Sequence, residues 1–408
     1  MRVLLINNYY NFGSTGKIVC DTRHYLDKSG VETYVAYGRG VRHDDSHLYK
    51  FCYELEAKIQ GLYSILSGNY YGGSIVSTKR LIKYIEKVKP DIVHVHCINA
   101  FCVNIPMLMC YLADKDIKTV VTHHAEFLYT GNCAHAYDCD KWQFNKGCYD
   151  CEQKEGKGLL GINMLEYNWN SMMTSIAKFK SGYLVSVAVS PWVKQRIQLS
   201  PFWNKYPCLV VKNGINTETF HYRKDSKTIL QIAAFNKYKK ICLHVTPRFT
   251  SSVSLKGGQF LFPIAEKMSD ILFVIVSTAK VNEANAPDNV IIWGRAKSQE
   301  ELAALYSIAD VTLLTSKRET FSMVCAESLC CGTPVVGFNA GGPESIALRE
   351  YSSFVNYGDI DLIRIELDKM IGKGFNHETV ASVALPRYDR LTMGKETLGV
   401  YKQIEDSL

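Results

Sequence analysis

Short Val- and Ile-rich runs alternate with amphipathic helical stretches along this chain, and that alternation constrains its fold more than any other feature. Strand candidates in the first half are Arg2–Ile6, Glu32–Ala36, Asp91–Val95, Lys118–Thr122, Leu184–Ala188 and Leu209–Lys212. Helical patterns at Thr15–Leu26 and Ser77–Val88 fall between them. The alternation then restarts with strands at Ile241–Val245, Ile271–Val276, Val290–Trp293, Val311–Leu314 and Val335–Phe338. Its helices are Gly257–Met268, Ser298–Ile308, Ser322–Cys330 and Ile360–Ile371. Strands that alternate with helices pair in parallel under helical layers, so an α/β, doubly wound architecture is expected. A chain of 408 residues exceeds what one hydrophobic core organises, and the polar stretch Asn213–Ser226, with its Asn213-Gly214 turn signal, marks the break. The reading is two domains, 1–215 and 216–385, with 386–408 as a C-terminal helix crossing back to the first.

Hydrophobic residues at 47% and charged residues at 21% exclude wholesale disorder. No apolar run reaches the roughly 18 residues that cross a bilayer. Met1–Ile6 is too short for a signal-peptide core and runs into polar Asn7 and Asn8, so a cytoplasmic protein is expected. The formal charge of +7 suits nucleic acid, anionic lipid or a phosphorylated substrate, and its sign does not choose among them.

The densest chemical signal runs from Glu319 to Glu327, followed by Gly332-Thr333-Pro334-Val335-Val336 and Gly341-Gly342-Pro343-Glu344. A loop after the strand Val311–Leu314 would lead into a helix starting near Ser322, whose free N–H groups and positive dipole end attract phosphate. Glu327, inside that helix, could accept from ribose hydroxyls, while Glu319 lies toward the phosphate end. Alone, the pair could be a solvated and a helix-capping glutamate. The glycine-rich flanks argue against that.

These residues resemble the Glu-x7-Glu motif of the group 1 glycosyltransferases, a retaining family with two Rossmann-like domains facing across a cleft (the GT-B fold). Glu319, Phe321, Glu327, Gly332, Pro334 and both valines match, and Ser322 stands where glycine is usual. Lys256-Gly257 is similar to the family's Lys-Gly, whose lysine binds the donor diphosphate beside an arginine, here Arg248. Asn213-Gly214-Ile215-Asn216 with Phe220 resembles the entry to the second domain, and Gly294 the turn that passes the donor base. The resemblance thus implies donor contacts at Arg248, Lys256, Gly294, Phe321, Ser322 and Glu327.

Toward the start, Asn11-Phe12-Gly13-Ser14-Thr15-Gly16-Lys17 follows the first strand. Its spacing is neither a Walker loop nor a full dinucleotide fingerprint. The resemblance implies that amides around Gly13 and Gly16 approach the donor phosphate, and that His124 points at the transferred sugar. It also makes His124 and Glu319 the catalytic candidates, with His94 and His96 lining the cleft.

Cys133, Cys139, Cys148 and Cys151 crowd one long loop, about residues 131–157, in a chain with 14 cysteines. Four thiols have the count for a tetrahedral structural zinc, while the spacing is nonstandard and leaves two disulfides or free thiols open. Acidic residues interleaved with Lys141, Lys146 and Lys154 argue against nucleic acid there.

The resemblance implies a hexosyltransferase that needs no cofactor for catalysis. It would take a UDP-, GDP- or ADP-sugar donor and a glycan or lipid-linked acceptor, in bacterial capsule, exopolysaccharide or lipopolysaccharide synthesis. Peripheral contact with the inner membrane would suit the basic, aromatic stretches Lys178-Phe179-Lys180 and Trp192–Lys205, which could equally be ordinary helix faces. The alternatives are a sugar-nucleotide epimerase or phosphorylase on the same fold, or a non-catalytic nucleic-acid-binding protein. Transfer to an acceptor, or salt-dependent nucleic-acid binding without donor binding, separates them.

Overall fold

The computed structural model describes residues 1–151, 158–226, 237–252, 254–278 and 286–406. The end of the cysteine-rich loop, 152–157 with Lys154, and the last two residues of the expected 386–408 helix lie outside that description. The chain divides into two compact units, Met1–Lys212 with Met393–Leu408, and Asn213–Thr392. The break thus falls just before the expected 215/216 boundary, and the return to the first unit comes at Met393 rather than at 386.

The first unit is built on seven parallel strands: β1 Arg2–Tyr9, β2 Glu32–Arg39, β3 Leu48–Lys50, β4 Ile92–Val95, β5 Lys118–His123, β6 Leu184–Ala188 and β7 Cys208–Val210. Their spatial order is β3-β2-β1-β4-β5-β6-β7. Val3–Ile6 of β1 are completely buried because helices cover both faces, which is why the run is continuously apolar rather than alternating. The final helix, Arg390–Asp406, adds Met393, Val400, Tyr401 and Ile404 to the same core. Gly394 permits that approach, since a Cβ there would lie 2.3 Å from Tyr25 Cγ.

The second unit carries β8 Lys240–Thr246, β9 Ile271–Ser277, β10 Val290–Gly294, β11 Val311–Leu314, β12 Val335–Phe338 and β13 Ser352–Val355. All pair in parallel, in the order β10-β9-β8-β11-β12-β13. In each sheet the order reverses once, between β1 and β4 and between β8 and β11. At such a reversal the flanking loops part, leaving a crevice at the carboxyl ends of the strands.

The basic, aromatic stretches Lys178-Phe179-Lys180 and Trp192–Lys205 fit the second of their two readings, ordinary helix faces. Phe179, Phe202 and Trp203 are buried, while Lys178 and Lys180 pair with Asp114 and Asp116. These basic, aromatic stretches therefore serve packing. Among the described residues no helix is long and apolar enough to cross a membrane.

Candidate active site

At the reversal of the second sheet, the loop after β11 is clasped from two sides. Below it, Thr315 Oγ1 donates to the Lys256 carbonyl at 2.8 Å and Lys317 N–H to the Leu255 carbonyl at 2.9 Å. Gly257 makes this fit possible: its φ is +68°, and a Cβ would sit 1.9 Å from the Thr315 carbonyl oxygen. Above it, Glu319 N–H donates to Ala340 O at 3.0 Å and Gly342 N–H to Glu319 O at 2.8 Å. A Cβ at Gly342 would collide with the Thr320 carbonyl at 2.4 Å. Glu344 closes the turn by accepting from Ala340 N–H at 3.1 Å and Gly341 N–H at 2.6 Å.

This clasp aims Lys256 Nζ at Glu319 Oε1, 2.5 Å away. Both side chains stay partly exposed, at 37% and 23%, so the pair faces solvent and stabilises the fold little. A lysine held this way keeps two N–H donors for an anionic ligand, and Glu319 keeps lone pairs for hydroxyl donors.

The helix Met323–Cys330 follows at once. Ser322 caps it, Oγ accepting from Cys325 N–H at 3.3 Å, but its φ of +76° is one a side chain rarely adopts. Glycine would relieve strain of about 1–3 kcal/mol and, as a cap, lose only a few tenths. Ser322→Gly is therefore expected to stabilise this unit by about 1 kcal/mol, allowing for glycine's extra unfolded-state entropy. A thermal melt should show a midpoint raised by roughly 2–4 °C; an unchanged or lowered midpoint would refute the strain.

Glu327 is partly buried on that helix, and Tyr306 OH donates to its Oε2 at 3.1 Å. Tyr306 is fully buried, and burial, reinforced by the Glu327 charge, pushes its hydroxyl well above the usual range, so the phenol stays protonated. Tyr306 escaped the sequence reading because it lies on another helix with no local signature. Phe321 is 2% exposed, so it packs inside. Arg248 is exposed beyond β8, and Gly294, φ +78°, ends edge strand β10 with open space where a Cβ would be.

At the reversal of the first sheet, Asn11 and Gly13 take positive φ, and the helix Gly13–Lys28 starts with no side-chain cap on its first amides. Gly16 packs that first turn against β1, where a Cβ would lie 3.2 Å from the Tyr9 carbonyl oxygen. Beyond β4 and β5, His96 Nδ1 and His124 Nε2 are 3.2 Å apart with their rings stacked. His94 bridges Tyr401 OH at 2.6 Å and Thr122 Oγ1 at 2.7 Å. Burial lowers His124 to about 4 and His94 to about 3, so both are neutral imidazoles at pH 7.

The four loop cysteines line one cavity of about 20 Å³ with Trp142 and Leu165. Among the described residues no three His, Cys, Asp or Glu side chains are grouped to hold a metal ion. Burial pushes the Cys148 thiol up to about 12, and its Sγ accepts from Gly131 N–H at 3.2 Å. Glu126, fully buried, staples the loop: it accepts from Ala136 N–H at 2.8 Å and Tyr129 OH at 3.2 Å and pairs with Arg196. Arg196 in turn lies over the buried Trp142 ring at 4.7 Å.

Residues 269–370, which carry β9 to β13 and the Glu319–Glu327 loop and helix, match the family "Glycosyl transferases group 1". Residues 269–370 thus form a group 1 glycosyltransferase domain. It is similar to D-inositol 3-phosphate glycosyltransferase of Mycobacterium sp. (strain KMS), 26% identical over 133 residues, 29% of this chain and 30% of that protein. The aligned part thus spans under a third of that relative's length. The fold is shared more widely. Sucrose-phosphate synthase from Thermosynechococcus elongatus superposes with a TM-score of 0.70 over 100% of both chains at 14% identity. Anabaena HepE in complex with UDP-glucose gives 0.62 over 98% of this chain and 99% of that one, also at 14% identity. Both sheets therefore have the GT-B architecture of glycosyltransferase structures.

Proposed function

We propose that this group 1 glycosyltransferase moves a hexose from a nucleotide-sugar donor to a glycan or lipid-linked acceptor with retention of anomeric configuration. The observation that carries this reading is the Lys256–Glu319 pair, set by backbone clasps beside the start of a helix whose next turn bears Glu327. As the anomeric bond breaks, negative charge grows on the leaving diphosphate. Lys256, exposed Arg248 and the first amides of Met323–Cys330 supply fixed positive charge that needs no reorganisation. Glu319 would hold sugar hydroxyls and Glu327 the ribose. The leaving phosphate would take the acceptor proton as the acceptor attacks from the same face, a course that gives retention. His124, neutral at pH 7, serves as a hydrogen-bond partner for the transferred sugar rather than as a cationic acid.

The UDP-glucose complex of HepE favours a UDP-sugar among the UDP-, GDP- and ADP-linked donors. An acceptor in surface polysaccharide synthesis remains our reading of the sequence resemblance, not of the relatives' names.

Isothermal titration against UDP-, GDP- and ADP-sugars tests the donor, and NMR of the new linkage tests its configuration. Glu327→Gln is the informative variant. Alanine would also leave the buried Tyr306 hydroxyl without its acceptor, costing about 1–3 kcal/mol of stability. Glu327→Gln should keep the fold and weaken donor binding; unchanged affinity, or an inverted product linkage, would overturn the assignment.

A further inference from the structure

The helix Glu54–Ser67 is turned inside out relative to an ordinary surface helix. Its buried side consists of small residues, Ala57, Gly61 and Ser64, and Gly61 lets the Phe101 ring approach to 3.3 Å of where a Cβ would be. Its large apolar side chains point outward instead: Leu55, Ile59 and Leu62 are 71%, 58% and 59% exposed. A globular helix normally buries its apolar stripe and shows its polar one.

Nearby backbone extends this surface. Leu159 N–H donates to Ile65 O at 2.8 Å and Leu160 N–H to Leu66 O at 3.2 Å, which places a second apolar ridge along the end of the helix. Leu159 and Leu160 are 77% and 67% exposed. A contiguous apolar surface of this kind marks an interaction site.

Charge selects the partner. The acids of the helix are neutralised at its base, Glu54 by Arg39 at 2.9 Å and Lys50 at 3.2 Å, and Glu56 by Arg80. Lys58 stands exposed among the outward leucines. The next helix, Ile75–Val88, is tied alongside by Arg80 to Glu56 and by Ser74 N–H to Gln60 at 2.9 Å. It exposes Val76, Lys79 and Lys83, which share one face at i, i+3 and i+7. Aliphatic side chains flanked by Lys58, Lys79 and Lys83, with Glu54 and Glu56 neutralised and Glu86 as the exposed acid beside Lys83, suit a surface that is apolar just below a layer of negative charge.

We propose that this face of the first unit docks on an anionic lipid bilayer. The leucines and isoleucines of Glu54–Ser67 and of the 159–160 ridge enter the acyl boundary, and Lys58, Lys79 and Lys83 meet lipid phosphates. The test is co-sedimentation of the full chain with phosphatidylcholine vesicles with and without phosphatidylglycerol. Binding should require phosphatidylglycerol and weaken with salt. Leu62→Glu combined with Leu159→Glu should reduce vesicle binding by at least about tenfold, while melting temperature and UDP affinity stay unchanged. Each lysine replaced by alanine should lower it about fivefold, the equivalent of about 1 kcal/mol per lysine at the surface. Donor affinity on the same variants reads the nucleotide site separately, so failure of one reading leaves the other intact. Absence of wild-type binding, binding indifferent to the leucine changes, or a dimer in sedimentation that the leucine changes turn into monomer would each overturn the assignment. The last result would make the face an interface between copies of this chain.

Discussion

Lys256→Ala is expected to lower kcat by about 10²–10³ and to weaken donor binding as well, because its ammonium would face the diphosphate before and during bond cleavage. The loop itself should survive. Lys256 is held to Thr315 through its carbonyl and to the loop through Gly257, neither of which the substitution touches. His124→Ala should behave differently. Its ring lies in the first unit beside His96, and by our reading it contacts only the transferred sugar. Its loss should reduce turnover more than donor affinity. Steady-state kinetics with titration of the nucleotide-sugar, run on both variants, separates the two. Equal losses of affinity and turnover in both would reject the division of roles, and a fully active Lys256→Ala would reject the site. Glu319→Gln is the companion control, since it removes the partner charge while keeping a hydrogen-bonding side chain toward the sugar.

The parts of this protein that were legible from sequence are those in which one local pattern had one physical explanation. Leu184–Ala188, Val311–Leu314 and Val335–Phe338 appear at the limits read from their mostly apolar runs, because every residue in them is buried, Ser186 and Thr312 included. Edge strands Leu48–Lys50 and Ser352–Val355 were missed: each is short and half-exposed, and the second begins with two serines. The helix expected over Gly257–Met268 breaks into a single 3-10 turn, Gly258–Phe260, and the short Leu261–Glu266, since positive φ at Gly257 delays the start. Ser322 looked like an irregularity of motif, and its φ shows the reason glycine suits that position. In the cysteine loop the four thiols are visible in the sequence as a set. A further staple joins Glu126 to Arg196, a carboxylate and a guanidinium seventy positions apart with no spacing signature. Tyr306 and Glu327 pair across two helices in the same silent way.

Acidification should unfold the first unit before the second, and four histidines supply the reason. Burial lowers His94 and His123 to about 3, His124 to about 4 and His96 well below its ordinary 6.5. They knit β4, β5, β6 and the last helix through Tyr401, Thr122 and Ser186, with His123 edge-on to Trp203 at 4.6 Å. In the unfolded chain each binds a proton near 6.5, whereas the folded chain refuses it until far lower pH. The unfolded state therefore holds more protons below 6.5, and stability falls as pH falls. Each such histidine contributes a slope of up to about 1.4 kcal/mol per pH unit, so four together remove up to about 6 kcal/mol over each pH unit well below 6.5, against the roughly 5–15 kcal/mol that holds a whole domain. Glu396 works the other way, because burial raises its carboxyl and protonation relieves it, but it is one group against four. The second unit has one such histidine, His244, lowered to about 4 by burial, and His377, which burial also lowers. Trp142, Trp169, Trp192 and Trp203 all belong to the first unit and Trp293 to the second, so tryptophan emission reports mainly on the first. Emission should shift cooperatively to the red between about pH 6 and 4.5, with far-UV circular dichroism from the second unit persisting lower. His94→Gln should reduce the slope of stability against pH by about one proton, whatever it does to stability itself. Native emission retained at pH 4, or a slope unchanged in that variant, would mean that these rings do not govern the acid limit.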